Sequence, residues 1–94
     1  MKQAQKMQQD VARLQEEVGQ REVSASSGGG MVTVIATGAK SIQQVLINPE
    51  CVDPDDVEML QDLVISAVNE ALRLADEMMN QEMGKVTGGL NLGL

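Results

Sequence analysis

The segment GGGMVTVIATGAKS, residues 28–41, is where phosphate chemistry would be sought first. Three glycines lead into a β-branched run, and Gly38-Ala39-Lys40-Ser41 differs by one inserted residue from the Gly-Lys-Ser end of a P-loop. A P-loop needs its Lys and Ser at the start of a helix, where backbone N–H groups converge on an anion. Here Lys40-Ser41 leads into IQQVLIN, and Gly28 to Gly30 lead into MVTVIAT. Both following runs are β-branched and predict strands. The segment therefore reads as two turns of a β-meander. Gly38 stands first in an expected two-residue type II′ loop, Gly38-Ala39.

The other residue types narrow the chemistry further. The 94 residues include no His, no aromatic residue and one cysteine. The commonest general base and metal ligand is missing, and a single thiol can form neither an internal disulfide nor a zinc cluster. Cys51 has acidic Glu50 and Asp53 close in sequence, which disfavours a thiolate, so it reads as a small buried apolar side chain. Without aromatic platforms, stacking on single-stranded nucleic acid is a poor match. Asp53, Asp55, Asp56 and Glu58 cluster where a helix begins and suit the positive end of its dipole better than a catalytic role. No catalytic group, metal or cofactor is expected. No stretch reads as a signal peptide or is apolar over a membrane span, so a reducing cytoplasm is the expected compartment.

The net charge of −7 is unevenly spread. Residues 1–21 hold four cations against three acids, a net +1; residues 22–94 hold three cations against eleven acids, a net −8. The N-terminal segment MKQAQKMQQDVARLQEEVGQR has apolar Ala4, Met7, Val11, Leu14 and Val18 at alternating steps of 3 and 4. That is a narrow seam for packing on another helix. At about 100° per residue, Lys2, Lys6 and Arg13 fall within about 40° of one another, opposite the seam. Such a stripe can follow a phosphate backbone or serve as a solvated face, and Glu16 and Glu17 flank it.

The elements that must position these residues follow from period and punctuation. EVSASS is a short polar strand; MVTVIAT and SIQQVLIN are stronger ones. Alternation puts Val32, Val34 and Ala36 on one face of the second strand, and Met31 and Ile35 on the other. In the third strand, Val45 and Ile47 would oppose Ile42 and Leu46. Both sheet faces would then carry apolar groups, which calls for a cover on each. DPDDVEMLQDLVISAVNEALRLADEMMNQEM predicts a long helix capped by Asp53, with Pro54 at its first position. Its stripe runs through Val57, Leu60, Val64, Ala67, Ala71, Leu74 and Met78, widened by Leu63, Val68, Ala75 and Met79. Arg73 is spaced to pair with Glu70 or Glu77. The helix would outrun the sheet, leaving Met78, Met79 and Met83 for the first helix or another chain.

The fold class is thus α+β, in the order α-β-β-β-α, with a three-stranded antiparallel meander and a long C-terminal helix. One domain is expected over about residues 1–87: a helix at about 1–20, strands at about 22–27, 31–37 and 41–48, and a helix at about 54–83. Residues 88–94 are expected to be a flexible tail.

This order, with MKQAQKMQQDVARLQEEV, SGGGMVTVIATGAKSIQQVLINPE and EMLQDLVISAVNEAL, resembles the YbaB/EbfC family of small bacterial nucleoid-associated proteins. In the last piece, Leu60, Asp62, Leu63, Val64, Ala67, Asn69 and Ala71 match the family pattern. The resemblance covers about residues 1–90. It implies a tweezer-like homodimer that binds double-stranded DNA with little sequence preference, in the cytoplasm and nucleoid, with an effect on gene expression, and that is not an enzyme. Family members often carry basic residues where this chain has Gln43-Gln44, and also late in the second helix. Their absence here predicts weak, salt-sensitive binding. Lys2, Lys6 and Arg13 are the expected DNA contacts; Leu14, Val45, Ile47, Leu63, Met78 and Met79 are the expected packing or dimer residues. The alternative is a non-catalytic protein-interaction module with little or no DNA affinity, gripping an unknown protein partner through the Met-rich overhang.

Overall fold

The computed structural model describes the backbone of residues 2–91 and the side chains of residues 5–85. Helix α1 (Lys2–Gln20) is followed by strands β1 (Glu22–Ser27), β2 (Val32–Thr37) and β3 (Ile42–Ile47). A short 3₁₀ turn, Pro49–Cys51, then leads to helix α2 (Val57–Asn91). The strands form one antiparallel sheet in the order β1-β2-β3. The α+β class and the α-β-β-β-α order are those expected from the sequence.

The core lies between α2 and one sheet face. Register places Ala25 opposite Val34 and Ser27 opposite Val32. Directly paired residues of an antiparallel sheet share a face. Val32, Val34 and Ala36 are fully buried there, under Ala67 and Ala71 of α2, and Ala75 is buried two turns beyond Ala67 along the helix. Alanines at every fourth position form one ridge, and their small side chains let the α2 backbone approach the bulkier valines. Leu60, Leu63, Val64, Val68 and Leu74 seal its margins. Ser27 also donates its hydroxyl to the Leu63 carbonyl at 2.6 Å, tying the end of β1 to the helix.

Four local features differ from the sequence expectations, each for a physical reason. The β2–β3 loop has three residues. Lys40 N–H bonds the Thr37 carbonyl at 2.8 Å, and Thr37 N–H bonds that of Ser41 at 2.9 Å. Lys40, with φ 66°, occupies the left-handed position that closes such a loop. Gly38 does not supply the positive φ of a II′ turn; it is needed for space against the Val18 carbonyl.

Second, a bulge shifts the β2–β3 register. Ile35 pairs with Gln44, yet Ala36 pairs with Ile42, so Gln43 is the extra residue. Ile42 therefore shares the α2-side face with Val45 and Ile47, and only Leu46 of that apolar set faces the other way.

Third, Asp53 does not cap α2. Its carboxylate accepts from Asp55 N–H at 2.9 Å, and its carbonyl accepts from Asp56 N–H at 3.0 Å, closing a turn with Pro54 at the second position. Asp56 takes over as cap, accepting from Met59 N–H at 3.2 Å, and the helix starts at Val57.

Fourth, α2 continues to Asn91 instead of ending near residue 83. Gly84 lies inside it, where a glycine costs only about 1 kcal/mol against the ladder of backbone bonds. The last three residues of the expected tail, 92–94, lie outside the described residues.

Thirty-five residues at about 1.5 Å each make α2 about 52 Å long. Its N-terminal half lies over β1 and β2, and its C-terminal half runs alongside α1. The chain is accordingly elongated, 63 × 22 × 15 Å. Its radius of gyration is 18.1 Å, against about 12 Å for a compact chain of this length.

Candidate nucleic-acid interface

The two helices form an arm that stands off the sheet. Val18 is buried and Met7, Val11 and Leu14 are half-buried, so the described part of the seam is the side of α1 that packs. Met78, Met79 and Met83 are half-buried on α2. Gln5, Lys6, Gln9 and Arg13 are exposed on the outside of α1.

The arm's angle is set where α1 ends. Gly38 N–H bonds the Arg21 carbonyl at 3.0 Å, and Ala39 N–H bonds the Gly19 carbonyl at 3.2 Å. The β2–β3 loop thereby holds the last turn of α1. The approach is so close that a Cβ on Gly38 would overlap the Val18 carbonyl oxygen and stand 2.9 Å from its carbon. The Met78 Cε would be 3.1 Å away. Two ion pairs add α2 to the joint: Arg21 with Glu82 at 3.3 Å and Lys40 with Asp76 at 3.0 Å.

Of the expected DNA contacts, Lys6 is exposed on the outer face and has no ion pair among the described side chains. Arg13 shares that face, but its guanidinium bonds the Asp10 carboxylate at 2.6 Å. The side chain of Lys2 lies outside the described residues. Asp10 stands three residues before Arg13 on the helix, and that spacing is the sequence signal for this pair. Elsewhere Arg73 bonds Glu70 at 2.6 Å and Glu77 at 2.8 Å. That hydrogen bond holds the Glu70 carboxyl below its ordinary value, and the two carboxylates raise the Arg73 guanidinium further. Five of the six cations whose side chains are described thus sit on a carboxylate of their own chain.

The expected packing residues divide into two sets. Leu63 is half-buried against its own core, and Leu14, Met78 and Met79 belong to the arm. Val45 and Ile47 lie on the edge strand β3, every residue of which is exposed. Ile42 and Ile47 are 39% exposed and Val45 is 42% exposed. They extend the buried sheet face sideways past the cover of α2. Between them and the helix lies an open groove of about 510 Å³, lined by Ile47, Leu60, Val64 and Ile65 with Gln61 and Asp62 at its rim.

Fold and surface together define a class: a small α+β protein in which a meander with one bare apolar edge carries a two-helix arm with cations on its outer side. The chain belongs to the YbaB/EbfC DNA-binding family, whose profile matches residues 1–90. It is 64% identical over 90 residues to a nucleoid-associated protein of Acetivibrio thermocellus, covering 96% of this chain and 80% of that one. It is 62% identical over 92 residues to a nucleoid-associated protein of Desulforamulus reducens, covering 98% and 88%. The crystal structure of an uncharacterized protein from Helicobacter pylori has a similar fold, with a TM-score of 0.65 at 26% identity over 79% of this chain and 86% of the other. Among the described residues, no helix is long and apolar enough to cross a membrane, and no group of His, Cys, Asp or Glu is placed to hold a metal ion.

Proposed function

We propose that this protein binds double-stranded DNA as a homodimer, with little sequence preference, and works as a nucleoid-associated protein in the bacterial cytoplasm. The observation that carries the reading is the exposed cationic side of α1 on a braced arm, in a chain of a DNA-binding family. Contacts of this kind go to phosphates, which position a protein without reading bases.

The homodimer rests on β3. Its outer edge is unpaired, and Ile42, Val45 and Ile47, with Ile65 across the groove, form an exposed apolar strip. An antiparallel edge is self-complementary under a two-fold axis, so a second copy would cover the strip and double the number of arms. Ile47→Glu puts a charge into that contact while leaving the buried core of each chain untouched. The expected outcome in sedimentation equilibrium is a dimer for the parent and a single chain of about 10.1 kDa for the variant. A parent that sediments only as a monomer at micromolar concentration contradicts the dimer.

A protein-interaction module is the second reading. It is favoured by the net charge of −7 and by the carboxylates that occupy most of the described cations. Titration with duplex DNA at about 50 mM salt separates the two. A mobility shift supports DNA binding, and no shift by the folded parent supports the module.

A further inference from the structure

At the base of the arm, one carboxylate oxygen serves two cations. Glu82 Oε1 lies 3.3 Å from Arg21 Nη1 and 3.3 Å from Lys85 Nζ. Glu82 follows Ala75 by seven residues, so it continues the packed side of α2, and its side chain is only 22% exposed. Arg21 and Lys85 are far more open, at 49% and 71%. Two cations on one carboxylate leave a unit positive charge in excess. It sits where the α1–β1 joint meets α2, on the same arm as the α1 stripe.

We propose that Arg21 and Lys85 form a second phosphate-contact point at the base of the arm, and that Glu82 occupies it in the free protein. This rests on the DNA-binding reading above. A phosphate oxygen is an anionic acceptor, like the carboxylate oxygen that both donors already share, and it can approach from the solvent side where they are exposed. Glu82 is mostly covered in the packed seam and already bonded to both cations, so it competes with every phosphate that arrives. The energetic consequence is a standing weakening of duplex binding that does not depend on the α1 face.

Glu82→Gln removes the competitor at almost unchanged shape. Glu58→Gln, at the far end of α2, makes the same change in net charge away from the arm and is the control. Duplex affinity is measured by anisotropy with end-labelled DNA across a salt series, with far-UV circular dichroism confirming the fold. Glu82→Gln is expected to bind about threefold or more tighter than Glu58→Gln at about 50 mM salt. Its slope of log affinity against log salt should be steeper by about 0.9 for each cation freed. Adding Arg21→Gln and Lys85→Gln to Glu82→Gln should erase the gain. Equal affinity and slope for Glu82→Gln and Glu58→Gln, with a parent that binds, overturns the contact point and leaves DNA binding standing. Absence of binding by parent and Glu82→Gln alike overturns both. Binding by Glu82→Gln where the parent shows none supports the competing role of Glu82.

Discussion

Gly38→Ala tests the joint that aims the arm. The added methyl meets the Val18 carbonyl group, and backbone of a helix end cannot rotate out of the way as a side chain can. Either α1 moves outward or the β2–β3 loop does. Moving either one strains or breaks two backbone bonds, Gly38 N–H to Arg21 and Ala39 N–H to Gly19. Overpacking of this kind costs about 1–3 kcal/mol, and each lost bond about 1 kcal/mol. A total of about 3 kcal/mol is expected. For a chain of this size that lowers Tm by about 12–24 °C. The measurement is thermal unfolding by far-UV circular dichroism at fixed protein concentration, since there are no aromatic residues to follow. Gly84→Ala is the matched comparison. It lies inside α2 with nothing within 4 Å of the added methyl, and it should raise stability by up to about 1 kcal/mol. A Tm for Gly38→Ala within about 3 °C of the parent would refute the close approach, and with it the fixed arm.

Two further outcomes follow from the arm and from α2. Leu14→Asp places a charge in the half-buried seam of α1 and should cost about 2–3 kcal/mol; an unchanged Tm would show that α1 is not docked there. Arg73→Gln should lower Tm slightly at pH 7, because Arg73 holds the Glu70 carboxyl below its ordinary value. A carboxyl depressed in the folded state stabilises above its unfolded value and loses that contribution as pH falls through the folded one. The gap between parent and variant should therefore narrow as pH drops below 4.5; a constant gap from pH 7 to pH 3 contradicts the pairing.

Element type and order were legible because the period changes from 3.6 to 2 at Glu22 and back before Val57. The buried valines of β2 and the alanine ridge of α2 follow from the same periods. The bulge at Gln43 was not legible, because no local signal marks an extra residue when its neighbour is also Gln. It moved Ile42 to the other face and changed which strip is bare. Asp53 and Asp56 are equally good caps by type, and only the turn that Asp53 closes decides between them. Gly38 was visible as a turn residue, but its contact with Val18 is a meeting of segments twenty residues apart. On α1, wheel geometry found the cationic face and the i, i+3 rule could have found Asp10. The sharing of Glu82 by Arg21 and Lys85 needed the fold, since Arg21 lies sixty-one residues from Glu82.

DNA binding is proposed to run through the cations on the outer face of α1. With Arg13 on Asp10, the proposal counts two α1 cations per chain, four in the proposed dimer, as phosphate contacts. The direct measurement is duplex affinity against salt for the parent and for Lys2→Gln, Lys6→Gln and Arg13→Gln combined. For the parent, log affinity should fall with log salt at a slope of about −3.6, with micromolar or weaker binding at physiological salt. The triple variant should lose binding while remaining folded and dimeric. A triple variant that binds with the parent's affinity and slope would contradict the claim.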